Sequence, residues 1–399
     1  MGSSHSATAI EFTGITCFAL SIALGVTMTC QSSKVLQLDV IPECRLLQTN
    51  NVLLVLSEVV HGLDDLIKEF CGTVVTNLSE LPNLSERTVY LCGDIANAKG
   101  LPLEAARQVF VIRELCQNCD SSTPWPVVEL GRVPIVMHDV GVYYRRFFDT
   151  NIDYFNRIRS DHAFQALTES NKPGTAHRTG IYLTPVEQHG DDIHFRLLRC
   201  SSNLSGPTGN FRSTDKTIVE ALNQEANSIF EGHAPLNHVL AQIYLNTPSS
   251  GKQKETKAKI KAHSDKTKDM PGNGLMAFCT FYDQLDKLQR SRDDEFDHCY
   301  HGTSGLTKLQ FRLKTAVLER SGSKCTLCEK FSVTLYPNSV FFMPLSTNRL
   351  YTHEIVPPSL NAKHLGYVVR CSDVEAVYSR GRTYLKGTHD HGNLIELEE

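Results

Sequence analysis

The sequence predicts an α+β protein in which a mixed α/β N-terminal region is followed by a sandwich or barrel of antiparallel strands with supporting helices. Three observations carry this expectation. From His238 onward the chain runs through HVLAQIYL, GLMAFCTFY, KLQFRLKTAV, FSVTLY, SVFFMPL and GYVVRC, rich in β-branched and aromatic residues and divided by Gly, Pro, Asn and Ser. Just before them, Ile218, Leu222, Ala226, Ile229 and Phe230 recur at helical spacing behind Thr214 and Asp215, residues suited to capping a helix. The cluster Ser121-Ser122-Thr123-Pro124-Trp125-Pro126 reads as a linker or exposed turn between regions of different texture. Strands at this density behind helices favour an α+β arrangement.

A chain of 399 residues has room for two domains, each with a sizeable core. The expected division is 1–138 as an N-terminal region of unreadable function, 139–385 as the main domain and 386–399 as a tail. Hydrophobic content of 41% and charge of 21% are ordinary globular values. A net charge of −4 gives no global reason to expect a nucleic-acid binder, so any such role needs a local patch. Thirteen scattered cysteines do not form a secreted disulfide pattern, which points to a reducing compartment, cytoplasmic or nuclear.

Taken in order, residues Phe12 to Ser33 carry no charge, but Thr, Ser, Gly and Cys dilute the stretch and Glu11 stands where a signal peptide would be basic. A buried element is expected there rather than a membrane anchor. The opening MGSSHS matches the short Gly2/Ser6 myristoylation pattern, and three sequons begin at Asn77, Asn83 and Asn203; neither pattern carries weight alone. NVLLVLSEVVHGLDDLIKEF suggests an amphipathic helix, RTVYLCGDI a strand and LEAARQVFVIRELC another helix. Two Cys-x-x-Cys pairs, Cys116/Cys119 and Cys325/Cys328, lie more than 200 residues apart; free thiols fit better than one shared zinc, and CTLC reads as a hairpin loop. His298, Cys299 and His301 cluster nearby. From Gly251 to Lys268, seven lysines stand against Glu255 and Asp265; a solvated loop and a phosphate-attracting surface are both open readings.

The chemistry concentrates around IKAHSDKTKDMP. His263 and Asp265, two apart at a strand end, can project to one side and chelate one ion, while a loop salt bridge explains the same pair. A third ligand would have to come from a strand adjacent in space. His353 follows SVFFMPL and the polar turn STN, ahead of a Pro-Pro stop. Together, two histidines and a carboxylate form the facial set that holds Fe(II) on one side and leaves the other open. Seventeen residues later, Arg370 in GYVVRC is an isolated arginine among apolar neighbours that needs an anionic partner, whether a structural carboxylate or a bound dicarboxylic acid.

The order His263-x-Asp265, His353, Arg370, with APLNHVLAQIYL before it and MPGNGLMAFCTF and SVFFMPLSTNRLYTHEIVPP after it, resembles the AlkB-type branch of the Fe(II)/2-oxoglutarate-dependent dioxygenases. The likeness runs from about Phe147 to Tyr378, including FFDTNIDYFNRIRS and the basic HRTGIYL, and leaves the N-terminal third outside. It implies a double-stranded β-helix core, jelly-roll-like, with iron on His263, Asp265 and His353. It further implies 2-oxoglutarate held by Arg370 and Tyr244, dioxygen as co-reactant, and hydroxylation or oxidative demethylation of a substrate. Alkylated nucleic-acid bases are one candidate substrate, with lysine-rich loop 252–268 as the surface that would meet nucleic acid. A protein side chain or small molecule is the alternative, and Lys363 stands where prolyl-hydroxylase-like enzymes place a cosubstrate lysine. No membrane partner is expected. Two departures stand out: His364, with Lys363 beside it, occupies the place of the family's other arginine and is expected to offer 2-oxoglutarate a positive or hydrogen-bonding group without the arginine fork, and Gln242 takes the place of the family's asparagine. Extra residues, lysine-rich before His263 and from about Leu285 to Lys308, lengthen the pattern.

Overall fold

Continuous apolar runs set the first layer of the molecule, a computed structural model that describes residues 45–46, 50–57, 62–81, 83–117, 123–168, 175–199, 209–245, 257–283, 285, 288–321, 327–358, 363–386 and 394–396. Strands β1 (Asn51–Val55), β2 (Thr73–Val75), β3 (Thr88–Asp94), β4 (Gln108–Gln117) and β5 (Val127–Val128) form a parallel sheet in the order β2-β1-β3-β4-β5. A helix of seven residues, α1 (Leu63–Glu69), follows β1. The amphipathic helix expected over NVLLVLSEVVHGLDDLIKEF is therefore corrected to a strand and a short helix. Val52, Leu53 and Leu54 are buried in succession, the mark of a parallel strand covered on both faces, which helical periodicity cannot distinguish from a buried helix. Gly62, at φ 86°, enters α1 in a conformation that L side chains rarely adopt. The helix expected over LEAARQVFVIRELC is also corrected: a 3₁₀ turn at Leu103–Ala105 precedes β4, where β-branched Val109, Val111 and Ile112 favour the extended chain. The strand expected in RTVYLCGDI is β3.

The second layer is larger. Strands β6 (Ile135–Met137) and β7 (Gly141–Tyr144) lead to helix α2 (Tyr154–Asp161), strand β8 (Thr175–Thr184) and helix α3 (Ser213–Ile229). Eight strands follow: β9 (His238–Tyr244), β10 (Ile260–His263), β11 (Leu275–Tyr282), β12 (Lys308–Leu313), β13 (Lys330–Thr334), β14 (Ser339–Pro344), β15 (Tyr351–Val356) and β16 (His364–Arg370). They are shared between two sheets. One orders them β9-β16-β11-β14, continuing to β7 and β6 on one side and to β8 on the other; the second orders them β10-β15-β12-β13. Every neighbouring pair among these eight is antiparallel. Short strands at Gln289–Arg290, His298–Tyr300 and Thr303–Ser304 form a separate small sheet within the extra residues between β11 and β12. Strands at 186–189, 192–197, 374–379, 382–386 and 394–396 make a further antiparallel sheet that takes in part of the C-terminal tail.

Alternation along the strands decides the two faces. Val239, Ala241 and Ile243 of β9 and Leu365, Tyr367 and Val369 of β16 pack with Ile158, Ile218 and Leu222 of α2 and α3. The opposite face offers Met276, Phe278, Phe341 and Met343 to Leu309, Phe311, Phe331 and Tyr351 of the smaller sheet. Leu53, Tyr90 and Ile112 join that same core from the parallel sheet. Two local expectations need correction. KLQFRLKTAV is a strand only to Leu313, after which Thr315–Ser321 turns helical, so β12 and β13 pair across a helix rather than a tight turn. STN lies inside α4 (Leu345–Leu350) rather than in a turn.

Helix α3 is anchored by a carboxylate. Asp215, fully buried, accepts the Arg212 backbone N–H at 2.7 Å and the Tyr367 hydroxyl at 2.8 Å, and its third partner, at 2.8 Å, is His162 Nε2. The expected cap is thus supplied by the third residue of the helix, while the Thr214 hydroxyl donates to Asp161. No helix among the described residues is long and apolar enough to cross a membrane; Phe12–Ser33, Gly2 and Asn203 lie outside those residues. Because Asp215 ties α2, α3 and β16 together, Asp215→Ala is expected to lower stability by about 3–5 kcal/mol in denaturant unfolding, since it leaves buried donors without acceptors. A loss below about 1 kcal/mol would show that the network carries little of the fold.

Candidate metal centre

The site begins with the pairing of β10 and β15. His263 and His353 lie directly opposite across these antiparallel strands, with ring centroids 4.5 Å apart. Cross-strand partners on one face approach closely, so two imidazoles in this register can converge on one point. β10 ends at His263, and Asp265 lies two residues on. Asn348 of α4 fixes the aspartate's backbone from both sides: Asp265 N–H donates to Asn348 Oδ1 at 2.9 Å, and Asn348 Nδ2 donates to the Asp265 carbonyl at 3.0 Å. Lys314 Nζ in turn donates to the Asn348 and Arg349 carbonyls. Between the two ligands, the Ser264 hydroxyl donates to the Tyr351 carbonyl at 3.0 Å, so β15 also grips the turn.

The carboxylate of Asp265 divides its two oxygens. Oδ2 accepts from Arg370 Nη2 at 2.7 Å, while Oδ1 lies 3.2 Å from His263 Nε2 and 4.0 Å from His353 Nε2. Among the described residues, His263, Asp265 and His353 are the His, Cys, Asp and Glu side chains whose ligand atoms gather in this way, all within 4.8 Å of one another. Burial alone would raise the Asp265 pKa, but Arg370 and the two histidines outweigh it and hold the carboxyl well below its ordinary value. Burial pushes His353 down to about 4, so its imidazole is neutral. His263 is also pulled down by burial, yet its hydrogen bond to Asp265 leaves it above its ordinary value.

This donor set fits a divalent metal. His263 Nδ1 lies 2.9 Å from the Lys261 carbonyl, which favours a proton on Nδ1 and points Nε2 at Asp265; a metal between them would take the place of the Nε2 proton. His353 is 4% exposed, and its Nδ1 is buried without a hydrogen-bond partner. The ring has Phe278 and Phe311 beside it, with centroids 5.8 and 6.1 Å away, and its Nε2 lies 4.0 Å from Asp265 Oδ1, too far for a hydrogen bond and a spacing that an ion between the two atoms would bridge. Two imidazole nitrogens and one carboxylate oxygen are suitable ligands for Fe(II), with the remaining coordination positions open.

The other expected site residues lie at the far end of β16. Arg370 ends that strand beside the cluster, while His364 begins it. Tyr244 pairs with His364 in register and stacks on it, with centroids 4.4 Å apart and planes at 8°. The Tyr244 hydroxyl donates to Gln242 Oε1 at 3.2 Å. His364 Nδ1 lies 3.3 Å from the Thr307 hydroxyl, and burial lowers its pKa to about 3. Residues absent from the sequence reasoning also belong here. Asn348 was hidden in a stretch that reads as a turn, and His238, opposite Arg370 in register, is buried and pushed down to about 3. Lys257, Lys259 and Lys261 line an open groove of about 750 Å³ with Glu354, Ile355 and Pro357; Lys252 and Lys254 lie outside the described residues. Cys119 and Cys325 also lie outside them; Cys116 Sγ donates to the Leu91 carbonyl and Cys328 Sγ to the Lys330 carbonyl.

No protein-family model matches the chain, and no curated protein matches it in sequence. Among solved structures, a prolyl-4-hydroxylase of Pseudomonas putida overlaps 57% of this chain and 90% of its own, with 10% identity and a TM-score of 0.29. A non-heme, alpha-ketoglutarate-dependent epimerase from nogalamycin biosynthesis, SnoN, overlaps 66% of this chain and 92% of its own, with 12% identity and a TM-score of 0.32. The functional reading rests on the geometry of the site itself.

Three buried histidines set an acid limit on the metal-free protein. His238, His353 and His364 have folded pKa values of about 3 to 4 against an ordinary 6.5, so between these values the unfolded chain takes up protons that the folded chain refuses. Stability is then expected to fall as pH drops from 6.5 toward 4, by roughly 1 kcal/mol per pH unit for each histidine. Asp265 acts in the same direction below the usual carboxylate range, and His263 opposes it weakly. Urea midpoints at pH 7 and pH 5 check this, with a smaller drop expected in His238→Asn; an unchanged midpoint would contradict it.

Proposed function

We propose that this chain is an Fe(II)- and 2-oxoglutarate-dependent dioxygenase that hydroxylates or oxidatively demethylates its substrate, with the activity in residues 139–385. The observation that carries the reading is the convergence of His263, Asp265 and His353 beside an arginine that takes the second carboxylate oxygen. The sharing of eight antiparallel strands between two sheets, β9-β16-β11-β14 and β10-β15-β12-β13, supports a double-stranded β-helix core.

Bound Fe(II), with 2-oxoglutarate and dioxygen, supplies the oxidising chemistry. The chain's own residues prepare the place for it. Arg370 keeps Asp265 ionised and holds its carboxylate by Oδ2, which leaves Oδ1 as one metal donor. Phe278 and Phe311 fix the His353 ring and keep water from its apolar side. In this reading 2-oxoglutarate would lie along β16, between Arg370 at the end beside the metal donors and His364, with its register partner Tyr244, at the other. Where the oxidised carbon is an N-methyl group, the hydroxylated product releases formaldehyde.

At the finer level we assign the chain to an AlkB-like role on alkylated nucleic-acid bases. Such a base must be single-stranded or flipped out to reach the metal. Lys257, Lys259 and Lys261, on the groove beside β10, supply the positive charge that would attract a phosphate backbone. Succinate formation from 2-oxoglutarate under Fe(II) and air tests the reading. Turnover is expected in the wild type and is expected to be lost in His263→Ala, and a methylated single-stranded oligonucleotide is expected to raise it with formaldehyde release. Absence of turnover in folded, metal-loaded protein would overturn the dioxygenase. Turnover indifferent to the oligonucleotide would shift the substrate to a protein side chain or small molecule.

A further inference from the structure

The metal donors lie at one end of β16, and the opposite end has lost the charge a dicarboxylic acid needs. His364 is buried and neutral there, and Lys363 is exposed. Two strands away, in the same cross-sheet row, stands Arg178 of β8: it pairs in register with Tyr244, which pairs with His364. The Arg178 guanidinium carbon lies 5.9 Å from the Tyr244 ring centroid. Its Nε is buried without a hydrogen-bond partner, and no carboxylate pairs with it among the described residues.

The backbone around Arg178 is shaped for this position. Its neighbour His177 sits at φ 49°, an uncommon conformation for a residue other than glycine. The pairing of β8 with the strand Gln165–Thr168 shifts register between Thr175 and Thr179, a bulge at this point. Bulges re-aim the side chains beside them and recur next to functional sites. The next row toward the metal is short of side chains: Gly180 pairs with Gln242, and Gln242 with Gly366. A Cβ on Gly366 would lie 3.3 Å from Tyr244 Cε2 and 3.9 Å from its hydroxyl, so the phenol leans over the glycine along β16. That hydroxyl is within electrostatic reach of Arg178 on one side and of Arg370 and Asp265 on the other.

We infer that Arg178, with the Tyr244 hydroxyl, binds the distal carboxylate of 2-oxoglutarate, whose 2-oxo acid end would lie at the metal donors. This rests on the dioxygenase reading, and Arg178 takes over the charge that His364 lacks. An arginine can offer two parallel donors to a carboxylate, and among the described residues no carboxylate occupies those of Arg178.

Calorimetric titration of the Mn(II)-loaded chain with 2-oxoglutarate, and with 2-oxobutanoate, which lacks the distal carboxylate, tests the assignment. Wild type is expected to prefer 2-oxoglutarate. Arg178→Gln is expected to weaken 2-oxoglutarate by about 10- to 100-fold and leave 2-oxobutanoate and Mn(II) unchanged, with Arg178→Lys between the two. Unaltered 2-oxoglutarate binding in Arg178→Gln would overturn the assignment while leaving the dioxygenase standing. Equal loss of both acids in Arg178→Gln and Arg178→Lys would make Arg178 a packing residue and overturn the assignment as well. Failure of Mn(II)-loaded wild type to bind 2-oxoglutarate at all would remove both readings.

Discussion

A carboxylate held between one arginine and two histidines is the constraint on which the rest of this site depends. Asp265 is a largely buried anion, and burial without a partner would drive it to take up a proton. Arg370 prevents that by engaging Oδ2, and it does so from the end of β16, a strand in the other sheet. The ion pair therefore spans the two sheets and fixes where Oδ1 points. With that oxygen placed, the cross-strand register of His263 and His353 completes a set of three donors. Removing Arg370 would leave the largely buried Asp265 carboxylate without its strongest counter-charge, which is more costly than never having built the pair.

The surrounding packing serves the same end. Asn348 clamps the Asp265 backbone by both its polar atoms, so the aspartate's position does not depend on its side chain alone. Phe278, Phe311 and Phe341 interlock between the sheets beneath His353, and the ring sits against that wall. Behind the large sheet, Asp215 gathers Tyr367, His162 and the start of α3. Tyr367 and Arg370 share β16, so the strand that delivers the arginine is braced on its outer face by a second buried carboxylate.

Much of this was legible in the sequence because ligand chemistry narrows the choice of residues. His263-x-Asp265 needs a third ligand on an adjoining strand, and SVFFMPL leads directly to one at His353; that Arg370 needs an anion was legible too, but the sequence pointed to 2-oxoglutarate, and the protein anion it meets is Asp265. The strands of the second layer were legible because β-branched and aromatic residues crowd each run between clear breakers. Two strands of the parallel sheet were not, since VLLVL and QVFVI bury Val52, Leu53, Leu54, Val109, Val111 and Ile112 without the regular alternation that separates strand from helix. Asn348 and Arg178 escaped notice for a different reason. Their roles depend on register between distant strands and on a bulge at His177, which no local pattern encodes.

The central claim is that these three side chains hold one Fe(II) and leave room for a 2-oxo acid to chelate the same ion. Anaerobic titration of the chain with Fe(II) and then 2-oxoglutarate, followed by visible absorption, tests it most directly, because a charge-transfer band arises only when the 2-oxo acid binds the metal through both oxygens. The account predicts a band that saturates at one iron and one 2-oxoglutarate per chain and is absent in His353→Ala. Folded protein that takes up no iron, or binds iron and shows no band, would contradict it.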